Sequence, residues 1–130
     1  MLICNRAGTM VAAAHAGWRG LAAGVLTETA RALGEPGELM AWIGPCIRQK
    51  YYEVGDDVRD SFPNNEEAFA PNANGRWQFD LAAIVRAQLN VAGIRSVCDS
   101  GLCTYADSET FFSHRRDGRT GRQAALIWLA

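Results

Sequence analysis

The stretch AAAHAGWRG, residues 12–20, decides how this chain folds. A run of small apolar residues ends at His15, a glycine-rich turn follows, and helical periodicity begins at Gly20. A strand that leads through a short turn into a helix is typical of mixed α/β architectures. Neutral imidazole binds zinc and copper and transfers protons near neutral pH, so His15 is the first candidate for metal or acid–base chemistry.

The segments on either side of this stretch extend the alternation of strands and helices. Residues 5–8 contain the Asn and Gly of a hairpin turn, Gly34 is suited to end the following helix, and Asp80 is suited to cap a second long helix. Residues 64–76 are polar and rich in Asn and Glu, which indicates a mobile loop. The predicted strands are residues 2–4, 9–15, 39–43, 94–98 and 123–129, and the predicted helices are residues 20–33, 55–62 and 81–92, with a helical turn at 107–113 and a basic loop at 115–122.

These elements predict a single α/β domain over residues 1–130, in which mixed layers combine a mixed β-sheet with two main helices. The formal net charge of −1 gives no electrostatic basis for binding nucleic acid or an anionic membrane surface. No apolar run approaches the roughly 20 residues that a membrane span needs. Residues 1–6 lack the pattern of a signal peptide, so we expect a cytoplasmic protein with reduced cysteines.

Two clusters of side chains carry candidate chemistry. At the corner after His15, the Arg19 guanidinium and the first amides of a helix favour anions such as phosphate. The alternative is a structural histidine at a strand end, with Trp18 as a core residue. The second cluster contains Arg115, Arg116 and two further arginines within eight residues, which suits either an anion site or a solvated basic loop.

The cysteines are weaker candidates. Cys103 could act as a nucleophile if a base lay beside it, but a buried structural thiol is the more common role for such a residue. Cys46 follows a Gly-Pro turn and is interpreted as a packing residue. No Cys-x-x-Cys pair is present, which leaves the sequence without a recognisable metal knuckle.

The same segments, taken together, resemble one family. The stretches AAAHAGWRGLAAGVLTETA (residues 12–30), WIGPCI (42–47), YYEVGDDV (51–58) and CTYADSETFFSHRRDGRTGRQAALIWL (103–129) look like the carboxyl-terminal half of the YfiH or laccase-domain family. This family is also named for multicopper polyphenol oxidases and purine nucleoside phosphorylases. The combination is specific because the HAGWRG motif and the late FFSxRRD…TGR pattern occur in the family's order.

The resemblance implies an α/β protein with a His-Cys-His metal site, in which His15 is one ligand and a catalytic residue. Zinc is the expected metal and copper the alternative. The implied reaction is metal-dependent phosphorolysis of adenosine or inosine, with adenosine deamination as an additional activity. Arg19, Arg115 and Arg116 are then the expected contacts to the phosphate and the purine nucleoside.

The family's other two ligands lie in motifs that this chain does not contain. We therefore expect a truncated member that lacks two metal ligands and does not retain the metal by itself. Two alternatives stay open: a copper-dependent polyphenol oxidase (laccase), and a catalytically incomplete fragment or binding module. The absent half should leave apolar surface uncovered, through which the chain could associate with itself.

Overall fold

Five helices and seven strands follow one another along the chain, and the structure, a computed structural model, describes all residues from 1 to 130. They form two compact units, which are residues 1–44, 85–101 and 125–130, and residues 45–84 and 102–124. In chain order the elements are β1 (Leu2–Asn5), β2 (Val11–Ala13), α1 (Trp18–Ala22), α2 (Val25–Leu33), β3 (Leu39–Ile43), β4 (Glu53–Val54), α3 (Asp56–Arg59), β5 (Phe69–Pro71), β6 (Trp77–Phe79), α4 (Leu81–Val91), β7 (Ser96–Asp99) and α5 (His114–Asp117).

The first unit is built on a four-stranded mixed sheet in the order β2-β1-β3-β7. The hairpin between β1 and β2 is antiparallel, as the sequence predicts, and the Asn5 side-chain oxygen accepts hydrogen bonds from the amides of Thr9 and Met10. β3 pairs antiparallel with β1 and parallel with β7. Alternate residues of β3 are buried, namely Leu39, Ala41 and Ile43. The core of this unit also contains Ile3, Leu21, Leu26, Ala30, Leu33, Val85, Leu89 and Ile94.

The second unit has a smaller sheet in the order β4-β6-β5, which is entirely antiparallel. Its core is aromatic. Phe79 is fully buried and stacks on Phe69 with ring centroids 4.5 Å apart, and Phe62 lies against both rings. The fold class is therefore confirmed: a mixed α/β chain with a mixed sheet, whose longest helices are α2 and α4. No helix has the length and apolar character needed to cross a bilayer.

Three predicted elements are wrong. The helix predicted at residues 20–33 is two helices, because Gly24 adopts a left-handed conformation (φ +79°) between α1 and α2. The loop predicted at residues 64–76 contains β5, and its Asn-Gly residues form only the turn that leads into β6. The strand predicted at residues 123–129 is absent, because the sheet ends at β7 and supplies no hydrogen-bonded partner to that segment.

The basic region near the carboxyl end also differs from the prediction. Residues 107–113 contain the predicted helical turn, since the Phe111 amide donates to the Asp107 carbonyl oxygen (3.1 Å), whereas the short helix α5 lies at the start of the predicted basic loop. Ser113 begins α5, because its hydroxyl accepts a hydrogen bond from the Arg116 amide. The capping residue, and not the density of arginines, sets where the helix begins.

Candidate functional site

The corner after β2 is built around two glycines of the HAGWRG motif. A Cβ on Gly17 would lie 2.9 Å from His15 Nε2, and a Cβ on Gly20 would lie 3.2 Å from the His15 carbonyl oxygen. Both distances are closer than side-chain carbons normally approach. A Cβ on Gly17 would push the imidazole aside, and a Cβ on Gly20 would press on the backbone, so glycine at both positions allows this arrangement. His15 itself is exposed, with its ring set against the Gly17 backbone.

Arg19 lies in α1 directly after this turn, and the N–H donors of its guanidinium have no partner in the protein. The guanidinium stacks over the Trp18 ring at 4.4 Å from the ring centroid, and it forms no hydrogen bond or ion pair within the protein. Stacking on an aromatic face leaves the in-plane N–H donors of arginine available. The first unit therefore presents an exposed imidazole and a guanidinium with open donors on one short stretch of chain.

Arg116 in the second unit has the opposite character, because all five of its N–H donors are used. Nε and Nη2 donate to the two carboxylate oxygens of Asp117, each at 2.8 Å. Nη1 donates to the carbonyl oxygens of Thr104 and Tyr105, and Nη2 also donates to that of Phe111, all at 2.9 Å. Pairing with Arg116 also lowers the pKa of Asp117. Arg116 is thus a clamp that fastens residues 104–111 to α5.

Arg115 uses only some of its N–H donors within the protein. Its Nη1 donates to the Glu53 carbonyl oxygen at 2.6 Å, and its guanidinium lies over the Tyr52 ring at 5.1 Å from the centroid. The remaining donors have no partner in the protein other than the Tyr52 face. The four predicted residues therefore fall in two units: His15 and Arg19 in the first, and Arg115 and Arg116 in the second.

A carboxylate network in the second unit was not predicted from the sequence. Glu53 Oε2 accepts hydrogen bonds from the side-chain amides of Asn72 (2.7 Å) and Asn74 (2.9 Å), and Arg76 Nε lies 3.5 Å from Oε1. The amide hydrogen bonds, Asn74 first, lower the pKa of Glu53, and Arg76 and Arg115 act in the same direction. The sequence signal was Asn-x-Asn-Gly, which predicts a turn but does not name the carboxylate that the turn binds.

The residues present do not make a complete metal site. Nowhere in the 130 residues do three or more His, Cys, Asp or Glu side chains lie close enough together to hold a metal ion. The second histidine, His114, is engaged locally, with Nδ1 2.6 Å from the Gly118 carbonyl oxygen. His15 is therefore a single possible ligand, and one imidazole does not fix a metal ion in a defined geometry.

One face of the first unit's sheet is an apolar groove. The groove is lined by the residues of β1, β3 and β7 whose side chains lie on the face of the sheet opposite the core, together with Ile127. The neighbouring Leu126 and Trp128 are both 75% exposed. The strand residues on this face are Leu2, Cys4, Met40, Trp42, Ser96 and Cys98.

Comparison with known proteins identifies the family. Residues 1–130 match the family model described as multi-copper polyphenol oxidoreductase laccase. The chain belongs to this laccase-domain family. Among curated relatives, it is 50% identical to a purine nucleoside phosphorylase of Pseudomonas aeruginosa, over 98% of this chain and 55% of that protein. It is 45% identical to the purine nucleoside phosphorylase YfiH of Escherichia coli, over 99% of this chain and 55% of that protein.

Solved structures agree with the laccase-domain assignment. A crystal structure of a Neisseria meningitidis protein superposes with a TM-score of 0.88 at 48% identity, and covers 92% of this chain and 52% of that chain. The structure of YlmD from Geobacillus stearothermophilus superposes with a TM-score of 0.82 at 32% identity, over 90% and 48%. The chain thus spans about half the length of the laccase-domain relatives it matches.

The contact between Gly17 and the imidazole predicts a selective effect of Gly17→Ala. The added methyl group would displace the His15 ring, because the Cβ position lies 2.9 Å from Nε2. We expect shifted imidazole resonances of His15 in ¹H–¹⁵N NMR spectra with the resonances of His114 unchanged. Gly37→Ala is the matched control, since nothing lies within 4 Å of its Cβ position. Unchanged His15 resonances in Gly17→Ala would contradict the close approach.

The Glu53 network predicts a dependence of stability on acid. Since hydrogen bonds lower the pKa of Glu53, the stabilisation is present above its ordinary value of 4.5 and is lost as the pH falls through the lowered value. Glu53→Gln should therefore flatten the decline of unfolding midpoint below about pH 4.5, measured by chemical denaturation at a series of pH values. Glu109→Gln, at an exposed carboxylate in the same unit, should leave the decline unchanged. Equal profiles for the two variants would count against the network.

Proposed function

We propose that the chain is the carboxyl-terminal part of a single laccase domain that catalyses metal-dependent phosphorolysis of purine nucleosides. The observation that carries the proposal is the corner after β2, where the exposed His15 ring lies against Gly17 and Arg19, four residues further on, makes no hydrogen bond or ion pair with the protein. Relatives at 50% and 45% identity bear the name purine nucleoside phosphorylase, which supports the same reaction. Adenosine and inosine are the proposed nucleosides, with adenosine deamination as an additional activity, and the cytoplasm is the proposed compartment.

The proposed roles follow from which side-chain atoms are available. Arg19 binds the phosphate, because its N–H donors are open and a guanidinium pairs well with oxyanions. Arg115 contributes its remaining donors to substrate oxygens. Arg116 supports substrate binding indirectly: its five donors are already used, and they hold residues 104–111 in place against α5. His15 binds at the reacting group or transfers a proton there.

His15 is the only metal ligand that we propose for this chain. This residue would supply one imidazole to zinc, or to copper as the alternative. A metal bound beside a substrate polarises an oxygen or activates water. Since this chain brings no three ligands together, the remaining ligands would have to come from outside these 130 residues.

A chimera tests the phosphorolysis proposal. Residues 1–130 would replace the matching segment of the Pseudomonas aeruginosa relative, and release of free purine from inosine would be followed by chromatography with and without phosphate. We expect phosphate-dependent release. His15→Ala should lower the rate by roughly 100-fold or more, and Arg19→Ala should raise the KM for phosphate by about 10-fold.

Arg95→Ala is the matched control for Arg19→Ala, because Arg95 is an exposed arginine of the same unit. It should leave both kcat and KM unchanged. Release of purine that does not depend on phosphate, or an active His15→Ala chimera, would overturn the proposal. Oxidation of phenols by the chimera with bound copper would instead favour a polyphenol oxidase, the activity that the family description names.

A second candidate is a catalytically incomplete fragment or binding module that associates with itself. The apolar groove and the exposed Leu126 and Trp128 favour it, because exposed apolar surface beyond scattered single residues is typical of interaction sites. We expect concentration-dependent association of the isolated chain in sedimentation velocity. Leu126→Asp with Trp128→Asp should abolish it, whereas Val91→Asp, at an 89% exposed position on α4, should not. A monomer at all concentrations would contradict this candidate.

A further inference from the structure

Two cysteines that are far apart in sequence lie side by side in the second unit. Cys46 and Cys103 form an isolated parallel β-bridge, in which the Cys46 amide donates to the Leu102 carbonyl oxygen (3.4 Å) and the Thr104 amide donates to the Cys46 carbonyl oxygen (3.1 Å). Residues paired in this way project their side chains to the same side of the backbone.

The spacing of a β-bridge suits a disulfide between the two residues. Neighbouring strands lie about 4.7–4.9 Å apart, and disulfides join residues whose Cα atoms are about 4.4–6.8 Å apart. The bridge stands alone rather than within a continuous ladder, so the two backbones can adjust locally to bring the sulfur atoms together. Both residues are half-buried, which leaves them accessible to a small reagent.

Contacts on either side keep the two segments in this register. Arg48 Nε donates to the Leu102 carbonyl oxygen at 3.0 Å. The rings of Tyr51 and Tyr105 stack with centroids 4.9 Å apart and planes 17° apart. The Arg116 clamp then binds the Tyr105 carbonyl oxygen from the other side. The backbone, arginine and tyrosine contacts therefore hold the Cys46 and Cys103 positions opposite each other.

We propose that Cys46 and Cys103 form a redox-active dithiol, which low-molecular-weight disulfides such as glutathione disulfide oxidise to an intramolecular disulfide. One cysteine thiolate attacks a sulfur atom of glutathione disulfide and expels one glutathione thiolate. The second cysteine thiolate attacks the mixed disulfide at the protein sulfur and expels the other. Two electrons pass to glutathione, and the two thiol protons end on the two glutathione molecules released.

The other two cysteines provide an internal control. Cys4 and Cys98 are on the same face of the first unit's sheet, but β3 lies between them: Cys4 is opposite Met40, and Cys98 is opposite Trp42. Two strand spacings amount to roughly 10 Å. That separation exceeds the range of about 7 Å beyond which a disulfide needs backbone movement. The Cys4–Cys98 pair should therefore stay reduced under conditions that close the 46–103 pair.

The experiment oxidises the purified chain with glutathione disulfide at neutral pH. We expect the number of titratable thiols to fall from four to two, and peptide mapping by mass spectrometry to identify a crosslink between the peptides that contain Cys46 and Cys103. Dithiothreitol should reverse both changes. The crosslink limits the unfolded chain, so the oxidised protein should unfold at a temperature on the order of 5 °C higher.

Matched variants separate this dithiol from general thiol oxidation. Cys46→Ser and Cys103→Ser should each abolish the crosslink and the thermal shift, while Cys4→Ser and Cys98→Ser should retain both. If a serine variant fails to fold, peptide mapping of the oxidised chain without substitutions still shows which two cysteines are crosslinked. A crosslink that involves Cys4 or Cys98, or mixed glutathione adducts on Cys46 and Cys103 without a crosslink, would overturn the proposal.

Discussion

The central position of β3 is the constraint on which the rest of the first unit depends. This strand shares its backbone hydrogen bonds with β1 on one side and with β7 on the other, so its register sets the register of both. Because side chains alternate along a strand, the same register buries Leu39, Ala41 and Ile43 and turns Met40 and Trp42 to the open face. The corner at His15 follows from it, since β2 is aligned through β1.

The arginines show that the availability of donors, and not the presence of charge, distinguishes a binding group from a structural one. Arg116 is the most heavily bonded side chain near α5, and its donors end on backbone carbonyls and on Asp117. Arg19 uses only the face of its guanidinium, against Trp18. Both are arginines beside a glycine-containing turn, so composition alone treats them alike. The contacts of each group separate them.

Local patterns predicted the elements that local interactions stabilise. The Asn5 turn and the Asp80 cap of α4 rest on contacts within a few residues, and both are confirmed. The strand at Leu39–Ile43 is confirmed as well, because the alternation that marks it is a local pattern even though its pairing partners are distant. The second sheet was missed because its strands of two and three residues are held by pairing with one another and by the phenylalanine cluster. The strand predicted at residues 123–129 was wrong because no neighbouring strand pairs with this segment, although its residues have the composition of a strand.

The sequence by itself determined the family, the α/β class and the place of His15 between a strand and a helix, because these depend on short motifs and on periodicity. Only the tertiary structure decided that Arg116 is a clamp, that Glu53 binds two asparagines, and that Cys46 meets Cys103. The physical reason is distance along the chain. Backbone pairing and side-chain hydrogen bonds join residues that are far apart in sequence, and a local sequence pattern does not indicate which distant residue will be the partner.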